Sequence, residues 1–152
     1  MATLQKAWII FGVPGWSDDE WNGDYILRST CTIFLDNSTS FKAINEHRNT
    51  PVKKSKAINL YLPFTNEDMG KIVHDNVYEI EIILEAFKGQ GGSMGDNCQF
   101  RLQTVLEFKD QVILATDGID PPGNIHPGLG NRWSHIFRKP GFNDQIMKEP
   151  IG

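Results

Sequence analysis

Tyr78-Glu79-Ile80-Glu81-Ile82-Ile83-Leu84-Glu85 and, after a glycine-rich interval, Gln99-Phe100-Arg101-Leu102-Gln103-Thr104-Val105-Leu106-Glu107-Phe108 decide the fold class. Both alternate with a period of two. That is the signature of a strand with one face buried, because successive side chains leave opposite sides of a pleated backbone. Tyr78, Ile80, Ile82 and Leu84 form the apolar face of the first stretch, with Ile83 alone breaking the polar side. Phe100, Leu102, Thr104, Leu106 and Phe108 form that of the second. Residues 88–97, with glycines at 89, 91, 92 and 95, predict an antiparallel hairpin with a long tip between them. Lys109-Asp110-Gln111 reads as a tight turn into a further strand over 112–116.

Upstream, Ala7–Val13 reads as a strand buried on both faces, and Tyr25–Leu35 as a longer one rich in β-branched residues. Ala57–Leu62 is a shorter strand closed by Pro63. Thr65-Asn66-Glu67-Asp68-Met69-Gly70 opens with capping residues and predicts one helical turn. Phe41 and Ile44 share a helical face, so a turn or short helix is expected over 40–47. About six strands with one or two short helical turns predict a mainly β chain, a single antiparallel barrel or sandwich.

The chain divides at 117. Residues 1–117 form the expected β-rich core. Residues 118–152 carry five of the eight prolines, which cannot donate to a ladder, so this tail is not expected in central sheet. Its apolar content (Trp133, Ile136, Phe137, Phe142, Ile146 and Met147) predicts an extended arm packed over the same domain. The alternative is an arm that grips a second copy of the chain.

Length and composition exclude several classes. The 152 residues suit one domain, and nine Phe, four Trp and three Tyr are too many for a chain that stays solvated. No run approaches the apolar length of a membrane span. Two cysteines, Cys31 and Cys98, each within an apolar run, exclude a disulfide-dense scaffold and read as small core hydrophobes. No secretory pattern opens the chain, so a cytoplasm, its own or a host's, is the expected compartment. The formal net charge of −4 gives no global attraction to polyanions.

Four candidate sites follow. The first is the loop from Gly12 to Tyr25, where Trp16, Trp21 and Tyr25 stand among the acids Asp18, Asp19 and Glu20. A segment this polar belongs at the surface, and aromatic side chains there are the residue types that concentrate binding energy. Either the rings fold back as core anchors or they serve a partner, a basic protein surface or a stacked sugar. The second is the basic run Arg48, Lys53, Lys54 and Lys56 with Tyr61. An open barrel of the OB type uses aromatics and flanking lysines in this way to hold single-stranded nucleic acid.

The third candidate takes His126 and His135 with Asp117 and Asp120 as zinc ligands of a hydrolase. No short ligand spacing supports it, and His47 and His74 are isolated. The fourth is nucleophilic: Ser17, Ser93 and Ser134 fall on turns, but none lies in a nucleophile elbow. No cofactor motif is present. These patterns predict a non-catalytic binding protein that works by protein–protein surface complementarity, of the inhibitor, immunity or phage-accessory type. Nucleic-acid binding is the second reading and metal-dependent hydrolysis the third.

Overall fold

The computed structural model describes residues 2–21, 25–48, 51–88, 98–119, 122–125 and 132–147, and, of Tyr25 and Lys88, the backbone alone. Among the described residues there are ten strands: β1 (Leu4–Val13), β2 (Tyr25–Leu35), β3 (Ser40–His47), β4 (Lys56–Tyr61), β5 (Val77–Lys88), β6 (Cys98–Phe108), β7 (Val112–Thr116), β8 (Gly123–Ile125), β9 (Arg132–Arg138) and β10 (Phe142–Asn143). They form two antiparallel sheets. The first runs β3-β2-β5-β9 and the second β10-β7-β6-β1-β4, with β8 added on β6. The sheets do not close on each other, so the chain is a sandwich-like, mainly β fold and not a barrel.

The inward rows of both sheets meet in one core. Leu27, Cys31 and Ile33 of β2 and Ile80, Ile82 and Leu84 of β5 face Ile9 and Phe11 of β1 and Phe100, Leu102 and Leu106 of β6. Phe100 ties the layers together: its ring stacks on Phe11 at 5.1 Å and meets Trp133 of β9 edge-on at 5.1 Å. Each such side chain contributes about 1.5–3 kcal/mol by leaving water. Gly123 of β8 pairs with Phe100, and a Cβ there would stand 2.2 Å from the Phe100 ring, so only glycine fits.

Several expectations are corrected. The described residues form ten strands, where about six were expected. Residues 40–47 are a strand, not a helical turn. Phe41 pairs with Ile33 on the inner face while Ile44 points outward at 53% exposure, which only a period of two allows. A tight hairpin makes this pairing: Ser38 takes φ 68° and Asn37 Oδ1 accepts the Thr39 N–H at 3.0 Å. Strands β5 and β6 do not pair, since they belong to opposite sheets. Their apolar faces look at each other across the core instead of lying side by side. Tyr78 is 47% exposed, because the register between β2 and β5 shifts at Phe34/Leu35 and buries Val77 in its place. The turn over 66–69 is observed, with Thr65 Oγ1 accepting the Asp68 N–H at 3.1 Å.

The described residues between 118 and 147 do more than drape over the sheet. Strand β9 becomes an edge of the first sheet and β10 an edge of the second. Edges are where a proline-rich segment can still pair. Beyond β10, residues 145–147 cross the outer face of β6, clamped by Gln103. This side chain donates to the carbonyls of Thr116 (3.1 Å) and Gln145 (3.4 Å) and accepts the Met147 N–H at 3.0 Å. Gln103 and Val105, outward-facing by alternation, are therefore fully buried. No helix among the described residues is long and apolar enough to cross a membrane.

Candidate functional site

The loop after β1 is a rigid shelf. The Ser17 N–H reaches the Pro14 carbonyl at 3.0 Å, closing a turn. The buried Ser17 hydroxyl lies 2.5 Å from the Asp19 carbonyl and 2.7 Å from Gln99 Oε1, its one proton serving either acceptor, and it accepts the Gln99 N–H at 3.1 Å. Gln99 Oε1 also takes the Asp18 N–H at 2.8 Å. A polar loop is thus hydrogen-bonded to the end of β6 and ordered without any further contact.

The two tryptophans on this shelf have opposite fates. Trp16 is 56% exposed, with its ring 6.0 Å from the Arg101 guanidinium, at the outer limit of a cation–π contact. Trp21 is 1% exposed, bridged through its backbone to Val52 and edge-on to Phe11 at 6.4 Å. The expectation of two available indoles is corrected: Trp21 anchors the loop to the core. Asp18 and Glu20 are exposed and Asp19 half-buried, whereas the side chain of Tyr25 lies outside the described residues.

The basic run is the neighbour of this acidic shelf. Val52 exchanges backbone hydrogen bonds with Trp21, at 3.1 and 2.7 Å, and Glu20 Oε2 accepts the Lys54 N–H at 3.0 Å. Lys53, Lys54 and Lys56 are exposed beside it. Arg48 is turned elsewhere, sharing Glu46 with Arg28; these two guanidinium groups hold the Glu46 carboxyl below the usual range. Opposite charges here lie side by side, and neither forms a field of its own.

Tyr61 connects the two candidate sites. It is 48% exposed and stands opposite Trp8 on the outward row of β4 and β1. The next outward positions of that row on β1 are Ile10 and Gly12, and Gly12 pairs with Arg101, the residue beneath Trp16. The outer face of the second sheet thus carries Tyr61, Trp8, Ile10 and Trp16, with Lys6 Nζ 5.1 Å from the Trp8 ring. Ile146 (43% exposed) and Met147 (39%), the segment clamped by Gln103, border the same face. Sequence reading missed Trp8 and Ile10 as surface residues. The signal was present, because a strand apolar on both sides needs a cover on each, and here the outer cover is incomplete.

The remaining candidates fare differently. His135 and Asp117 line one small cleft of about 260 Å³, while His126 and Asp120 lie outside the described residues, as does Ser93. Among the described residues no three His, Cys, Asp or Glu side chains come together as a metal site would require. Burial pushes the Cys98 thiol up to about 12 and the Cys31 thiol higher still, so both stay protonated and unreactive at neutral pH. Comparison with family models, curated proteins and solved structures finds no match to this chain.

Proposed function

We propose that this chain is a non-catalytic binding protein that docks another protein on the outer face of its second sheet, with Trp16 as the principal anchor. One observation carries the reading: an indole 56% exposed stands on a loop already fixed by the Ser17–Gln99–Asp18 hydrogen bonds. Preorganised aromatic groups are the usual hot spots of protein interfaces, and truncating one costs about 2 kcal/mol or more of affinity. Tyr61, Trp8 and Ile10 extend the apolar surface, and Asp18 and Glu20 at its rim suit basic groups on the partner.

A second reading, single-stranded nucleic acid stacked on Tyr61 and Trp8, draws on Lys6 and Arg101 of the same face. It is weakened by two observations: the described strands form two sheets of a sandwich, and the lysines of 53–56 border the acids of 18–20. The test compares wild type with Trp16→Ala in capture from an extract of the source cell, then in titration of the isolated partner. The reading expects one protein held by wild type, at least about 30-fold weaker binding by the variant, and an unchanged melting temperature. A partner retained at full affinity overturns it. Binding of an oligothymidylate with a steep salt dependence favours the second reading.

A further inference from the structure

Away from this face, a cleft of about 600 Å³ opens at one end of the sandwich. It joins a second cleft of about 410 Å³ through His74 and Asp75. The two are floored by the consecutive residues Val112, Ile113 and Leu114 of β7. On that flank of β7, the described partner is β10, which pairs only with Thr116 and Ala115. The chain then leaves toward Gln103. The edge of a sheet therefore continues past the end of its last strand, into a cleft.

Backbone alternation says which groups face the cleft. Asp117 donates its N–H to the Gly141 carbonyl on the β10 side. In an antiparallel strand the N–H and C=O of every second residue point the same way, so Ala115 and Ile113 share that side. Leu106 and Phe108 of β6 take Leu114 and Val112 on the other. Ile113 thus offers one N–H and one C=O to the cleft. The position opposite Leu114, next in line after Asn143 and Phe142, directs its side chain inward with Leu114, between Phe142 and His74.

The rim is acidic. Asp144 is exposed, and Asp75 has its side chain 91% exposed. Lys139, the one lysine among the described residues that line the cleft, donates to the Asp75 carbonyl oxygen at 3.1 Å. The Asp75 carboxyl is held below the usual carboxylate range by the His74 hydrogen bond at 2.9 Å, and the Lys139 charge helps to lower it, so it keeps its charge.

We infer that this cleft binds an extended peptide segment of a partner protein, which adds to β7 as an antiparallel strand in line with β10. One apolar side chain enters between Phe142 and His74, and basic residues flank it toward Asp75 and Asp144. The segment gains two backbone hydrogen bonds to Ile113 and one buried side chain, so an isolated peptide binds weakly, at roughly millimolar Kd.

The probe is a capped five-residue peptide, lysine-leucine-threonine-threonine-lysine, with its leucine next to the start because Asn143 and Phe142 already occupy the places opposite Ala115 and Thr116; it is titrated into the full chain and followed by amide NMR. The Ile113 amide is expected to shift. Methylating the backbone nitrogen of the residue after the leucine, which faces Ile113, should weaken binding at least about tenfold, while methylating the leucine nitrogen, which faces away, should leave it unchanged. Replacing the lysines with glutamates should weaken it severalfold. No shift at Ile113, equal binding of the two methylated peptides, or indifference to the end charges would each overturn the inference. The Trp16→Ala variant is expected to bind the probe as wild type does, which keeps this site separate from the aromatic face.

Discussion

The outer faces of the two sheets are built by one rule of alternation and filled in opposite ways. On the first sheet the outward rows bring Arg28 against Glu46 at 2.8 Å and Arg138 against Glu79 at 2.6 Å. Thr30 and Thr32 lie beneath longer neighbours at 8% and 6% exposure. Its exposed Ile44 and Ile136 sit on opposite edge strands, with β2 and β5 between them. On the second sheet the outward row is Tyr61, Trp8, Ile10 and then Trp16. A face satisfied within itself has little to offer a partner. Apolar area left open beside satisfied polar groups gains free energy when it is covered.

This contrast can be broken experimentally. The largest effect belongs to the tryptophan that looks like Trp16 in the sequence but is buried: Trp21→Ala should lower unfolding free energy by about 3–5 kcal/mol in urea denaturation, through loss of its contact with Phe11. Trp16→Ala should leave it within about 0.5 kcal/mol. Equal losses from both would mean that the aromatic face is structural. Gln103→Ala should cost about 1–3 kcal/mol, because the Met147 N–H and two carbonyls lose their partner. Faster amide exchange at Met147 would report the clamp directly.

Smaller effects sharpen the other side of the comparison. Burial holds the His47 imidazole below its ordinary value of 6.5, with Ser29 Oγ 3.3 Å away. The fold therefore favours the neutral ring. Its contribution is complete above pH 6.5 and shrinks as the pH falls through and below that value. His47→Gln should flatten this acid-side decline in urea midpoints measured between neutral and mildly acidic pH. Smallest of all, Glu79→Gln should leave the thermal midpoint unmoved, as expected for a solvent-screened ion pair.

The fold class was legible in the sequence because strands β1, β2, β6 and β7 declare themselves by alternation or apolar runs. Strand β9 carried the same signal, Trp133, His135 and Phe137 on one face and Ser134 and Ile136 on the other. The surrounding prolines and glycines drew attention from it. Strand β3 was hidden because Phe41 and Ile44 fit a helical spacing as well, and only pairing with β2 decides the matter. Which sheet a strand joins is a long-range property. No local pattern reveals that β5 and β6 face each other instead of pairing. For the site, Trp16 and Trp21 have similar neighbours in sequence, and their difference is made by Val52, a residue from another loop.

That same junction, Glu20 on Lys54 and Trp21 on Val52, sets how a partner would approach. Acidic and basic stretches in contact form a local dipole whose potential dies away faster than that of a lone charge, and at ordinary ionic strength the screening length is about 8 Å. Encounter is then governed by diffusion and orientation, with an association rate of roughly 10⁵–10⁶ M⁻¹s⁻¹ that added salt barely alters. Differences between partners would show in how long each stays.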